Sequence, residues 1–270
     1  MPRTRWTGGD KWMAVMHNRN QQEATMTRSG SEPFDATRRL SADVCGLSLR
    51  RWIALCACAE AIGMTAAALA AKLSQRLLGD DPQVPATATA LTLVVAGGLI
   101  EGSVLGALQA GGLRRSVPRL NTRRWLYLTA AVAGLGWAAA SAPNVLNPNQ
   151  TGPQPALPLV LAGALVLGAT MGVFLGAAQA TTLRSLVRRP GRWVLGNALA
   201  WPPTMAVIFM GATTPDSTWS TPSVTALGTA TGVAAGAVLG IITGRFLPSP
   251  DEVTARTVAN RNPGAEDESS

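Results

Sequence analysis

The sequence predicts an all-α polytopic membrane protein. Six transmembrane helices form three helical hairpins of like orientation, with the glycine-zipper even-numbered helices packed centrally. Three observations lead there. The chain has 270 residues, 47% hydrophobic and only 14% charged, against about 25% charged in ordinary globular domains. Between Trp52 and Leu247 the charges sit in short clusters separated by apolar runs. Each run has the roughly 20 residues that a helix needs to cross about 30 Å of hydrocarbon. Lipid offers the backbone no hydrogen-bond partner, so such runs are helices and not open strands. The third observation is glycine at every fourth position in three segments: Gly98, Gly102 and Gly106; Gly168, Gly172 and Gly176; and Gly228 through Gly232, Gly236 and Gly240 to Gly244.

Taken in order, residues 1–48 are polar and mixed in charge, without periodicity or a secretory h-region, and read as a disordered cytosolic tail. The transmembrane domain covers 49–247, with repeats at 51–114, 124–184 and 192–245. Its spans run about 51–71, 87–114, 125–142, 159–183, 193–212 and 224–247. The stretch 248–270 is polar, ends acidic and reads as a second disordered tail. The second loop (Arg114, Arg115, Arg119, Arg123, Arg124) and the fourth (Arg184, Arg188, Arg189, Arg192) are strongly basic. The first loop has two basic residues; the third and fifth have none. The positive-inside rule then sets both termini in the cytosol, and the expected location is the plasma membrane. The same rule accounts for the net charge of +8 without nucleic acid. The expected partners are the lipid bilayer and a membrane-protein partner.

Spans one, three and five each open on an Arg-Trp pair: Arg51-Trp52, Arg124-Trp125 and Arg192-Trp193. Spans two and four share G-x-x-L-G-x-x-Q-x-x-x-L-R, from Gly102 to Arg114 and from Gly172 to Arg184. Span six keeps the ladder, with Leu239 read opposite the glutamines. A unit of about 70 residues therefore recurs three times. Two spans per unit make the repeats parallel about an axis along the membrane normal. Glycines four apart let backbones approach closely, so spans two, four and six are expected to meet around a pseudo-threefold axis. The tryptophans are expected at the headgroup level, beside anchoring arginines.

The segment Gly172–Trp201, GAAQATTLRSLVRRPGRWVLGNALAW, resembles a group of bacterial multi-pass proteins that read GxxQWLVLR…WWVLANALGWALG. This chain departs from it in having Ala110 and Ala180 after the glutamine. The resemblance covers about 51–247 and implies an integral membrane protein, with no particular activity.

Glu60 and Glu101 are the sharpest functional signals, because an ionisable group at membrane depth costs about 2.5 kcal/mol or more. Glu60 lies eight residues past Trp52 and Glu101 thirteen before Arg114, so about 12 and 19 Å from the cytosolic boundary. Two carboxylates in contact would share a proton or hold a cation. Gln109 and Gln179 are expected as polar glue across the axis, and Asn197 is similar. Pro202 and Pro203 should kink span five. Cys56 and Cys58, two apart on a helix, face different ways and read as small buried hydrophobes. The sole histidine, His17, lies in the tail, so no metal site is expected in the membrane. No P-loop or G-x-S-x-G appears, and no cofactor is expected. The leading functional reading is a membrane scaffold or partner subunit. The alternatives are a proton- or cation-linked carrier using Glu60 and Glu101, and an intramembrane enzyme on a lipid-like substrate.

Overall fold

A computed structural model describes residues 47–78, 84–146, 156–216 and 218–253. Most of both expected tails, and parts of the first and third loops, lie outside these residues. Among the described residues there is no strand. Six long helices follow one another: α1 Leu49–Leu78, α2 Val84–Leu113, α3 Thr122–Leu146, α4 Leu157–Leu183, α5 Gly191–Ala212 and α6 Thr221–Thr243, closed by a 3₁₀ turn at Gly244–Phe246. Helix α1 runs seven residues past the expected end of its span, through Lys72 and Arg76, because no glycine or proline interrupts it there. Arg76 donates to the Thr221 hydroxyl at 2.9 Å, tying the end of α1 to the start of α6.

Local chemistry explains the boundaries. The Asn121 carboxamide accepts from Arg124 N–H at the start of α3, and Ser220 caps α6 by accepting from Ser223 N–H. Proline stands in the first turn of α4 and α6, where its missing N–H costs nothing. Helix α5 carries Pro202 and Pro203 within one helical run. Five of the six helices are long and apolar enough to cross a membrane: α1, α2, α4, α5 and α6. Helix α3, at 25 residues, is also long enough to cross, but it is not among the five.

The helices form a closed ring in which each touches its chain neighbours and α6 touches α1. This corrects the expectation that α2, α4 and α6 pack together at the centre: their backbones do not come into contact, and an odd-numbered helix separates each pair. The ladders face sideways instead. Gly98, Gly102 and Gly106 of α2 lie on α3; Gly168, Gly172 and Gly176 of α4 lie on α5; Gly228, Gly232, Gly236 and Gly240 of α6 lie on α1. The physical reason is the width of a six-helix ring, whose centre a glycine cannot fill. The residues before Gly106, Gly176 and Gly240, about 100° round the helix, point inward. These are Leu105, Leu175 and Leu239, which meet in one core cluster with Ala59, Ala200 and Trp201.

The contacts also correct the alignment of the third ladder. Gly106 abuts Leu126, Gly176 abuts Val194 and Gly240 abuts Ile53, each the residue after an Arg-Trp pair. Leu239 therefore matches Leu105 and Leu175, and Thr243 stands where the glutamines stand. All three ladder interfaces are antiparallel, since rising numbers on one helix meet falling numbers on its partner.

The three tryptophans are not at the surface. Trp52, Trp125 and Trp193 are 0%, 0% and 2% exposed. Trp193 packs edge-on to Trp52 at 5.9 Å and tilted to Trp125 at 5.5 Å, within the preferred range for aromatic pairs. Leu113, Leu183, Val117 and Val187 complete this cluster at the arginine-rich end. Residues 248–253, expected to begin the tail, fold back on the same end. Val253 packs against the cluster, and Glu252 pairs with Arg192 at 3.0 Å.

Candidate intramembrane acidic site

From the arginine-rich end inward, the ring is filled in layers. Above the tryptophans lies a polar layer. The Trp193 indole N–H donates to Gln179 Oε1 at 2.8 Å. Gln179 Nε2 donates to Gln109 Oε1 at 3.2 Å and to the Thr129 hydroxyl at 2.9 Å. Trp52 N–H donates to the Thr243 hydroxyl at 2.9 Å, and Gln109 Nε2 points at Cys56 Sγ, 4.0 Å away. Asn197 is satisfied within its own helix, donating to the Trp193 carbonyl and accepting from Trp201 N–H. Gln109, Gln179 and Asn197 are thus all buried in one belt. Gln109 turns toward Gln179 and Cys56, and the Trp125 indole N–H is buried without a partner.

Gln179 serves three partners at once, so its loss has a definite expected result. Gln179→Leu orphans the Trp193 N–H and removes a donor from Gln109 and Thr129. Each buried orphan costs about 1–3 kcal/mol, and thermal unfolding in detergent should report a loss of about 2–4 kcal/mol. Pairing the change with Trp193→Phe should recover part of it.

Above the leucine layer stand the two acids. Both are buried, Glu60 fully and Glu101 to 4% exposure, and they are electrostatic neighbours. Gly63 of α1 makes the approach possible: a Cβ there would lie 2.7 Å from Glu101 Cβ and 2.9 Å from its Cα. Glu101 Oε2 accepts a hydrogen bond from the Trp137 indole of α3 at 2.7 Å. The Glu60 oxygens meet no hydrogen-bond partner other than the Glu101 carboxyl. Cys56 lies one turn below Glu60 and is buried; Cys58 is exposed.

A cavity of about 410 Å³ opens beside Glu101. Its floor is Leu105 and Leu175, and its walls come from α1 through α5, with Glu101 as the one ionisable lining residue among those described. A second cavity of about 170 Å³ shares Ala71, Trp137 and Ala212 with the first and carries Lys72 and Asp216. The Thr218 hydroxyl, then its backbone N–H, hold the Asp216 carboxyl below the usual carboxylate range. Asp216 is therefore ionised at neutral pH, and it shares that rim with Lys72.

The acids sit at the level where the arrangement changes from sealed to hollow. A carboxyl pair with one indole donor can hold a proton or a monovalent cation. The Thr129 hydroxyl in the wall is committed, donating to the Trp125 carbonyl and accepting from Gln179. Among the described residues, no three His, Cys, Asp or Glu side chains gather as a metal site. Trp137, Thr129 and Thr243 escaped the sequence reading. Trp137 was within reach of it, lying twelve residues beyond Trp125, or about 18 Å, close to the depth assigned to Glu101. Comparison of the chain with known protein families, curated proteins and solved structures finds no match.

Proposed function

We propose that this protein is a six-span carrier of the plasma membrane, linked to proton or cation movement through Glu60 and Glu101. One observation carries the reading: a cavity reaches Glu101 of the buried carboxyl pair from one side, while leucine, glutamine and tryptophan layers seal the other. A site reachable from one side and closed toward the other is what alternating access requires of one of its states. Ionisable groups inside a membrane protein face such cavities and mark pathways for ions and protons.

The finer architecture belongs to the same proposal. Helix α3 is the sixth span; its 25 residues reach about 37 Å, and it stands in the ring between two helices that qualify. The chain is three hairpins of one descent, supported by matching contacts of Gly106, Gly176 and Gly240 beside the three Arg-Trp pairs. The arginine-rich end is cytosolic, with both termini, so the cavity opens outward. Kinship with the bacterial multi-pass proteins that share its GxxxGxxQ…LR segments fits this reading.

The test is flux in proteoliposomes under an imposed pH gradient. Wild type should dissipate the gradient, and Glu101→Gln and Glu60→Gln should each lower the rate about tenfold or more. Asp216→Asn, at the rim, should stay within about twofold. A wild-type rate equal to that of protein-free vesicles would remove the carrier. The scaffold or partner-subunit reading would then stand, and the interlocked tryptophan end favours it, being a rigid base with the Arg192–Glu252 clasp on its outer face.

A further inference from the structure

We infer that the cavity beside Glu101 takes a lipophilic organic cation: a protonated amine or quaternary onium centre on an apolar body. The inference rests on the carrier reading for its site, and adds the chemical class of what is carried. The volume, about 410 Å³, lies within the roughly 300–1,000 Å³ of small-molecule sites. The wall is of the kind that binds apolar bodies, with Val132, Leu167, Met171, Met205 and Phe209 facing the space. Against that wall stands, among the described residues, one ionisable group, Glu101, with no lysine or arginine lining this cavity.

Charge decides among the possible occupants. An anion would meet Glu101 with no positive group to offset it. A neutral apolar molecule would cover a carboxyl without pairing it, and burying an unpaired charge is costly. A bare divalent ion wants six or more oxygen ligands, and a single carboxylate with the committed Thr129 hydroxyl does not supply them. An organic cation needs one carboxylate for its charge and apolar wall for the rest. Trp137 and Trp201 both line the space, and indole faces attract cations, most strongly where water is excluded. Trp137 also fixes Glu101 through its 2.7 Å bond, so the carboxylate is already aimed.

The smaller cavity shares Trp137 with the larger one and carries one residue of each charge, Asp216 and Lys72. Met171 of α4 lies against Gly136 of α3, where the ring's two least-joined helices meet. A bulky apolar body can part that seam more cheaply than any glycine-ladder interface.

The test uses two ions of one shape and opposite charge, tetraphenylphosphonium and tetraphenylborate, in equilibrium dialysis against the purified full-length protein. Wild type should bind the phosphonium and take up the borate at least about tenfold more weakly. Glu101→Gln should weaken phosphonium binding about tenfold or more, Glu101→Asp should retain part of it, and Trp137→Phe should lose about threefold. All variants are checked for a single sharp peak in size exclusion, and Glu101→Asp keeps the result readable if the glutamine variant does not fold. Borate binding as tight as phosphonium binding, no phosphonium binding by folded wild type, or unaltered phosphonium binding by folded Glu101→Gln would overturn the inference. Proton flux that persists without phosphonium binding would overturn it while leaving the carrier standing. Loss of both in folded wild type would remove the two together.

Discussion

Replacing Gly236 by valine is expected to leave no folded protein. A Cβ at Gly236 would stand 2.6 Å from Ala57 Cα and 2.7 Å from the Cys56 carbonyl carbon. These are backbone atoms, so no rotamer change relieves the contact, and valine adds two further carbons. Ordinary overpacking costs about 1–3 kcal/mol; here α6 must withdraw from α1 along its length. That interface closes the ring between the last helix and the first, and with it separated the tryptophan cluster loses Trp52. The measurement is recovery of a monodisperse peak after detergent extraction, expected to fall to background. Gly111→Ala and Gly163→Ala are the matched controls. Nothing lies within 4 Å of a Cβ at either position, so alanine should gain up to about 1 kcal/mol from helix propensity. Wild-type recovery of Gly236→Val would mean that the close approach of α6 to α1 is not what holds the ring.

That contrast shows what a glycine ladder encodes. Spacing of four marks one stripe of a helix and says that a backbone comes close. It does not name the partner, since any helix with small residues opposite will serve. Here the partner of each ladder is an odd-numbered helix, offering Ala130 and Ala133, Ala198, or Ala57 and Ala61. The helices themselves were legible from hydropathy and their arginine ends, to within a few residues. Only α1 overruns its expected end substantially, because the charge at Lys72 reads as loop where no breaker stands. The tryptophans were misplaced for a related reason. An Arg-Trp pair at a span boundary is an ordinary interface signal, and one helix alone gives no means of seeing three such starts converge. The acids were partly legible: depth arithmetic set both in the first hairpin but left about 7 Å between them. The close pass of Glu101 over Gly63, three residues beyond Glu60, narrows that gap to about 4.5 Å, and it depends on an interhelical fit that no local pattern records.

The two acids should respond in opposite ways to the same apolar replacement. Glu60 is fully buried, and its oxygens meet no hydrogen-bond partner other than the Glu101 carboxyl with which a proton can be shared. A buried unpaired polar group costs about 1–3 kcal/mol, and methionine fills much the same space with a flexible apolar chain. Glu60→Met is therefore expected to raise stability by about 1–3 kcal/mol, seen as a higher midpoint of thermal unfolding in detergent. Glu101→Met should lower it by about 1–2 kcal/mol, because the Trp137 N–H loses the acceptor it now holds at 2.7 Å. Both should abolish proton-coupled flux. A side chain whose removal stabilises the fold and ends the activity is held there for the activity, and local rules give way at such sites. If Glu60→Met instead unfolds the protein, Glu60 is a structural member of the α1–α6 interface, and the carrier would have to rest on Glu101 alone.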